Sequence, residues 1–198
     1  MFRSQCVTRV ALLGTVLCML CPNAFGDIRQ NELPSRAASS RPNVILFYVD
    51  DLGYGEVGLY GQEKIRTPSI DRIGREGVRF TQHYSGSPVC APSRCVLLTG
   101  FHTGHAYIRD NDEWGERGDV WHDPELEGQR PIPEGTYTLG HLFQDAGYAT
   151  GAIGKWGLGG PANSGSPNRQ GFDHWYGYLC QRVAHNYYPT HLWRNEEK

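Results

Sequence analysis

The sequence predicts an α/β fold with a mainly parallel sheet flanked by helices. Three observations carry that prediction. A continuous apolar run, Val44 to Val49, is rich in β-branched and aromatic residues and stops abruptly at Asp50-Asp51, the mark of a buried parallel strand. A capped helical segment follows at 67–77. The theme then repeats at 138–155, where a helix, a strand and a sharp stop at Gly154-Lys155 come in order. Strands alternating with helices argue for a parallel sheet, whose ligand site lies beyond the carboxyl ends of its strands. Asp50, Asp51 and Lys155 all fall at such ends.

The amino-terminal segment stands apart. Residues 1–26 carry Arg3 and Arg9, an apolar run from Val10 to Leu20, and small residues at Ala24 and Gly26, which together read as a secretory signal peptide. The apolar run is short for a membrane span, so an export leader is expected rather than an anchor. Residues 27–41 are polar and pattern-free and read as a linker. Cleavage after Gly26 removes Cys6, Cys18 and Cys21 and leaves Cys90, Cys95 and Cys180, an odd set in an oxidising compartment.

The rest of the chain supports a globular domain. Hydrophobic residues make up 39% and charged residues 20%, which excludes a disordered chain, and a net charge of -2 gives no footprint for nucleic acid. In the helix at 67–77, Thr67 serves as N-cap, Pro68 fits the first turn and Gly77 supplies the stop. Residues 77–85 read as a strand, and Cys90 to Leu98 as a helix opened by Cys90 with Pro92 early. Residues 110–135 are acidic, rich in glycine and proline, and read as a surface excursion. Residues 138–146 read as a helix ended by Gly147, and Tyr148 to Ile153 as a strand. The segment from Pro161 onward is rich in aromatic residues.

Candidate chemistry clusters in three places. Adjacent carboxylates after a buried strand are costly unless a cation neutralises them, and hard oxygen ligands suit Ca²⁺ or Mg²⁺. A solvated turn is the ordinary alternative for such a pair. Cys90 is expected at the N-cap of the following helix, where unpaired N–H groups and the dipole favour an anion, and Arg94 lies one turn on. A thiol there would be acidic and reactive. An inert buried cysteine is the common alternative. A bond to Cys95 is disfavoured, because their spacing on a helix points the two side chains apart. Ser93 reads as a helix-start residue rather than a nucleophile, since no base partner accompanies it.

The stretch Cys90-Ala-Pro-Ser-Arg-Cys-Val-Leu-Leu-Thr-Gly100 resembles the first signature of the type I sulfatases, matching at Cys90, Pro92, Ser93, Arg94, Leu98, Thr99 and Gly100. Gly147-Tyr-Ala-Thr-Gly-Ala-Ile-Gly-Lys155-Trp156 resembles their second signature. Pro42 through Gly61 resembles their opening strand and metal-binding aspartates. All three agree in order and spacing, over roughly 41–185.

This resemblance implies an alkaline-phosphatase-like α/β fold and the hydrolysis of sulfate esters. Cys90 would be oxidised to Cα-formylglycine by a separate formylglycine-generating enzyme that reads Cys-X-Pro-X-Arg, with Ser93 within that signal. A hydroxyl of the hydrated aldehyde would attack sulfur, the alcohol would leave, and loss of the second hydroxyl's proton would expel sulfate and return the aldehyde. Asp50, Asp51 and the modified Cys90 would hold Ca²⁺, or less favourably Mg²⁺. Arg94 would hydrogen-bond the modified residue, and Lys155 would bind a sulfate oxygen. The substrate would be a sulfated small molecule or glycan, and the protein would be secreted or periplasmic.

Two departures accompany the resemblance. Many family members carry a histidine two residues after the lysine, where this chain has Gly157, so His141, His174, His185 and His191 are candidates to fill the gap. Family members are also usually more than twice as long, with a second metal pair downstream. The chain is therefore expected to be an amino-terminal portion of a catalytic domain spanning 42–198. Rival expectations are a phosphate or phosphonate monoester hydrolase of the same superfamily, an inactive exported fragment, and an unmodified thiol enzyme. Trp175, Tyr176, Tyr178, Tyr187 and Tyr188 are either core or stacking surfaces for sugar or aryl groups.

Overall fold

The computed structural model describes residues 41–111, 127 and 130–198. The leader expected at 1–26, the linker up to residue 40 and most of the 110–135 excursion lie outside the described residues. The chain divides into two units between Phe47 and Tyr48. Of the first, the described residues 41–47 are exposed and carry no regular secondary structure.

The second unit opens with two short 3-10 turns, Tyr54–Glu56 and Gly58–Tyr60, ahead of helix α1, Pro68–Glu76. Thr67 does precede α1, but its hydroxyl is used elsewhere. It accepts from the Gly58 N–H at 2.8 Å and donates to Asp71 Oδ1 at 2.9 Å, tying the turn to the helix. Helix α2 spans Cys90–Thr99 with Val89 as its N-cap, so Cys90 is the first helical residue rather than the cap. Pro92 is tolerated in this first turn, where a backbone N–H has no intrahelical acceptor to lose. The Ala91 N–H is satisfied from outside the helix by Asn111 Oδ1 at 2.9 Å. Gly100 ends α2 at φ 70 and returns its N–H to Val96 O at 2.8 Å.

Helix α3, Leu139–Asp145, starts at Thr138. Strand β1 covers Gly151–Lys155, beginning and ending later than the expected Tyr148–Ile153. Gly154 is expected to help stop the strand. It instead lies inside the strand and pairs with Gly177 of β2, His174–Tyr178. Strands β1 and β2 are parallel, from Gly151↔His174 to Lys155↔Tyr178, and the pairing continues as Trp156 N and Gly157 N donate to Tyr178 O and Leu179 O. Helix α4, Gln181–His185, follows directly, and the short strand β3, Trp193–Arg194, pairs antiparallel with β2. The sheet is thus small and mixed, with order β1-β2-β3.

Two expected strands are absent from it. Val44 to Val49 are exposed and pair with no described strand, and residues 77–85 form bends with Val78, Phe80 and Tyr84 exposed. An apolar, β-branched run fits a pleated surface, but only a partner strand makes it one. The core gathers instead around the inner face of β2 and α2. Trp175 packs against Trp156 at 5.7 Å, and Cys95, Ile108, Ile132 and Leu158 close around them.

Candidate active site

Four side chains meet beyond the carboxyl end of β1. Lys155 is the last residue of β1, and its Nζ donates to Asp50 Oδ2 at 2.8 Å. The same ammonium lies 3.4 Å from Cys90 Sγ at the start of α2. Arg94, one turn along α2 from Cys90, donates Nη2 to Asp50 Oδ1 at 3.0 Å and Nε to the Lys155 carbonyl at 3.0 Å. One carboxylate thus takes a guanidinium and an ammonium at once, and the thiol sits beside the ammonium.

The electrostatics follow from this. Burial pushes the Asp50 carboxyl up, but the Lys155 hydrogen bond and the Arg94 charge outweigh it and hold the group below its ordinary value. Arg94 is buried, and its Nη1 has no hydrogen-bond partner. A buried guanidinium N–H without an acceptor is costly, which sets this atom apart from the engaged Nε and Nη2. Asp51 follows Asp50 at φ 54, a left-handed conformation that aspartate tolerates better than most residues.

The hydroxyl of Ser93 is committed to Tyr48 and Ser85, whose hydroxyls it contacts, and the Tyr48 ring lies 5.9 Å from the Arg94 guanidinium carbon. Among the described residues, this chain of hydroxyls includes no imidazole. Tyr48, Ser85 and Asn111 were not anticipated from sequence. Cys90, Cys95 and Cys180 form no disulfide, and Cys95 and Cys180 are buried.

Of the four candidate histidines, one reaches the site. His185 Nε2, at the end of α4, lies 3.0 Å from Lys155 Nζ. His141 Nδ1 accepts from the Thr138 N–H at 3.2 Å and closes the start of α3. His174 opens β2, where its N–H donates to Thr150 O at 3.1 Å. His191 contacts Glu127, which also accepts from Trp193 Nε1 at 2.7 Å. The aromatics divide as well. Trp175 is core, whereas Tyr187 and Tyr188, just past His185, are 81% and 94% exposed.

Asp50 and Asp51 have the hard oxygen donors that suit Ca²⁺ or Mg²⁺. However, both Asp50 oxygens are already engaged, and no group of three or more His, Cys, Asp or Glu among the described residues is arranged to hold a metal ion. Calcium takes roughly six to eight oxygens. The described residues therefore do not by themselves form a complete cation site.

The carboxylate, ammonium, guanidinium and thiol thus come together at a strand end and a helix start, within an α/β chain. Residues 42–196 match the family model described as Sulfatase, and the chain belongs to the sulfatase family. It is 40% identical to human arylsulfatase D over 149 residues, which are 73% of this chain and 24% of that protein. It is 39% identical to human steryl-sulfatase over 145 residues, covering 71% and 24% of the two chains. Among solved structures it resembles Ps i-CgsB in complex with k-i-k-neocarrahexaose, with a TM-score of 0.59, 27% identity, and coverage of 75% of this chain and 35% of that one. The chain spans about a quarter of the length of the curated relatives it matches.

Proposed function

We propose that the chain provides the nucleophile side of a sulfate-ester hydrolase, with Cys90 as the residue converted to formylglycine. The observation that carries this reading is the Lys155 ammonium held between Asp50 Oδ2 and Cys90 Sγ, with Arg94 clasping the same aspartate. When formed, formylglycine supplies a hydrated aldehyde and hence an oxygen nucleophile in place of sulfur.

The chain's own groups do the rest. The first turn of α2 fixes the backbone of residue 90, with Ala91 N–H held by Asn111. Arg94, held by Asp50 and the Lys155 carbonyl, directs its free Nη1–H to an oxygen of the modified side chain or of the ester. Lys155 exchanges one of its contacts for a sulfate oxygen and stabilises the charge that builds there. Asp50 and Asp51 would contribute oxygens to a calcium ion, which would supply charge neutralisation. The exposed Tyr187 and Tyr188 offer faces for an aryl or sugar leaving group.

The same reading makes the protein a client of a formylglycine-generating enzyme and, through a leader within 1–26, an exported protein. No helix of the described residues is long and apolar enough to cross a membrane. The test is a panel of aryl sulfate, sulfated sugar and aryl phosphate, assayed with the complete gene product made alongside the maturation enzyme. Sulfate esters are expected to be turned over preferentially. Dominant turnover of the phosphate would refute the reading and favour a phosphate or phosphonate monoesterase.

A further inference from the structure

Gly157 lies two residues beyond Lys155, the last residue of β1, and a side chain at that position would be strained and would have to displace Gln181. Its φ is +80, and a Cβ added there would fall 1.5 Å from Nε2 and 2.6 Å from Cδ of Gln181. Gln181 is the first residue of α4, is 1% exposed, and donates Nε2 to the Trp156 carbonyl at 3.3 Å. The space a larger residue 157 would need is taken by this amide.

His185 lies one turn further along α4, on the same face as Gln181. Its Nε2 is 3.0 Å from Lys155 Nζ. A lysine ammonium has three donors and no acceptor, so the imidazole must accept here, with its own proton on Nδ1. The three partners of Nζ are then Asp50 Oδ2, Cys90 Sγ and His185 Nε2, one for each ammonium proton.

We propose that His185 is the positioning residue of Lys155, delivered by α4 in place of a side chain at 157. The proposal rests on the ester-hydrolase reading of the site and adds a residue to it. With three acceptors in fixed directions, the ammonium stays over the thiol position instead of wandering with its flexible stem. Partial desolvation of the ring and the Lys155 charge both favour the neutral imidazole that this contact requires, opposed by the charges of Asp50 and Asp51. His185 is itself exposed, so replacing it leaves the core untouched.

The test compares His185→Ala, His185→Phe and His185→Gln in the complete gene product, produced with a formylglycine-generating enzyme. Turnover of an aryl sulfate and an aryl phosphate is measured, together with calorimetric binding of inorganic sulfate. Both Ala and Phe, which lack an acceptor, are expected to lower kcat/KM about 10- to 100-fold, mostly in kcat, as expected when a reacting group's support is lost. Gln, whose amide oxygen can accept from Lys155, is expected to restore most of that loss. Adding Gly157→His to His185→Ala is expected to restore nothing, because Gln181 fills the space.

Ala and Phe variants within twofold of wild type, or a folded Gln variant as impaired as Ala, would overturn the proposal. So would rescue by Gly157→His. If wild type prefers the phosphate ester, the sulfatase reading falls while the same His185 ranking, read on phosphate, sustains this inference. Wild type that turns over neither ester and binds no inorganic sulfate overturns both.

Discussion

Replacing Gly157 by alanine isolates the packing on which the α4 argument depends. The added Cβ meets Gln181 Nε2 at 1.5 Å, Cδ at 2.6 Å and Cγ at 3.1 Å, so Gln181 must leave. An L-residue at φ +80 costs about 1–2 kcal/mol. Loss of the Gln181–Trp156 hydrogen bond adds about 1 kcal/mol. The sum, about 2–3 kcal/mol, corresponds to a fall in Tm of roughly 4–12 °C for a chain of this size. Gly135→Ala is the matched control. Its φ is +76, and a Cβ there meets nothing within 4 Å, so it bears the backbone cost alone. Urea unfolding of both variants, followed by tryptophan fluorescence and far-UV circular dichroism, reads the difference. Gly157→Ala is expected to be the less stable of the two by about 1 kcal/mol or more. Equal stability of the two variants would show that Gln181 does not hold this space, and the reasoning would fail.

Other perturbations address the site directly. Arg94→Lys should recover little of the stability lost in Arg94→Ala, because a single ammonium cannot serve both Asp50 and the Lys155 carbonyl. Urea titration of the pair checks this, and a Lys variant matching wild type would contradict it. Lys155→Met should lower kcat for an aryl sulfate about 10²- to 10³-fold, the scale of losing one transition-state donor, in steady-state assays. Stability should fall toward acid in two stages. His185 is held below its ordinary 6.5, so its contribution is complete above that pH and is lost as pH falls toward its folded value. Asp50 is held below its ordinary 3.8, so its contribution is present above that pH and is lost as pH falls through its depressed folded value. Denaturation midpoints from pH 7.5 to 3 measure this, and His185→Gln should remove the first stage only.

Much of the local structure was legible because punctuation residues carry it. Pro68, Gly77, Pro92 and Gly147 announced helices α1 to α3 to within a residue or two. The strands were less legible, since a strand is defined by its partner. Val44 to Val49 and residues 77–85 have the composition of strands and no described partner, while β1 runs through Gly154, a glycine that faces Gly177 across the ladder. The site was legible where chemistry dictated residue type. Asp50, Cys90, Arg94 and Lys155, separated widely in sequence, do converge. What sequence could not rank was the set of four histidines. Nothing in the spacing of these histidines singles out His185, and its approach to Lys155 is set by where α4 packs in the fold. Tyr48, Ser85 and Asn111 carried no sequence signal at all.

Formylglycine chemistry requires that Cys90 is not used as a thiol. The most direct measurement is the mass of the tryptic peptide containing Cys90, isolated from material made with a formylglycine-generating enzyme. The expected mass is that of an aldehyde in place of the CH₂–SH group, together with labelling by a hydrazide. An intact, alkylatable thiol at Cys90 in material that nevertheless hydrolyses aryl sulfate would contradict it.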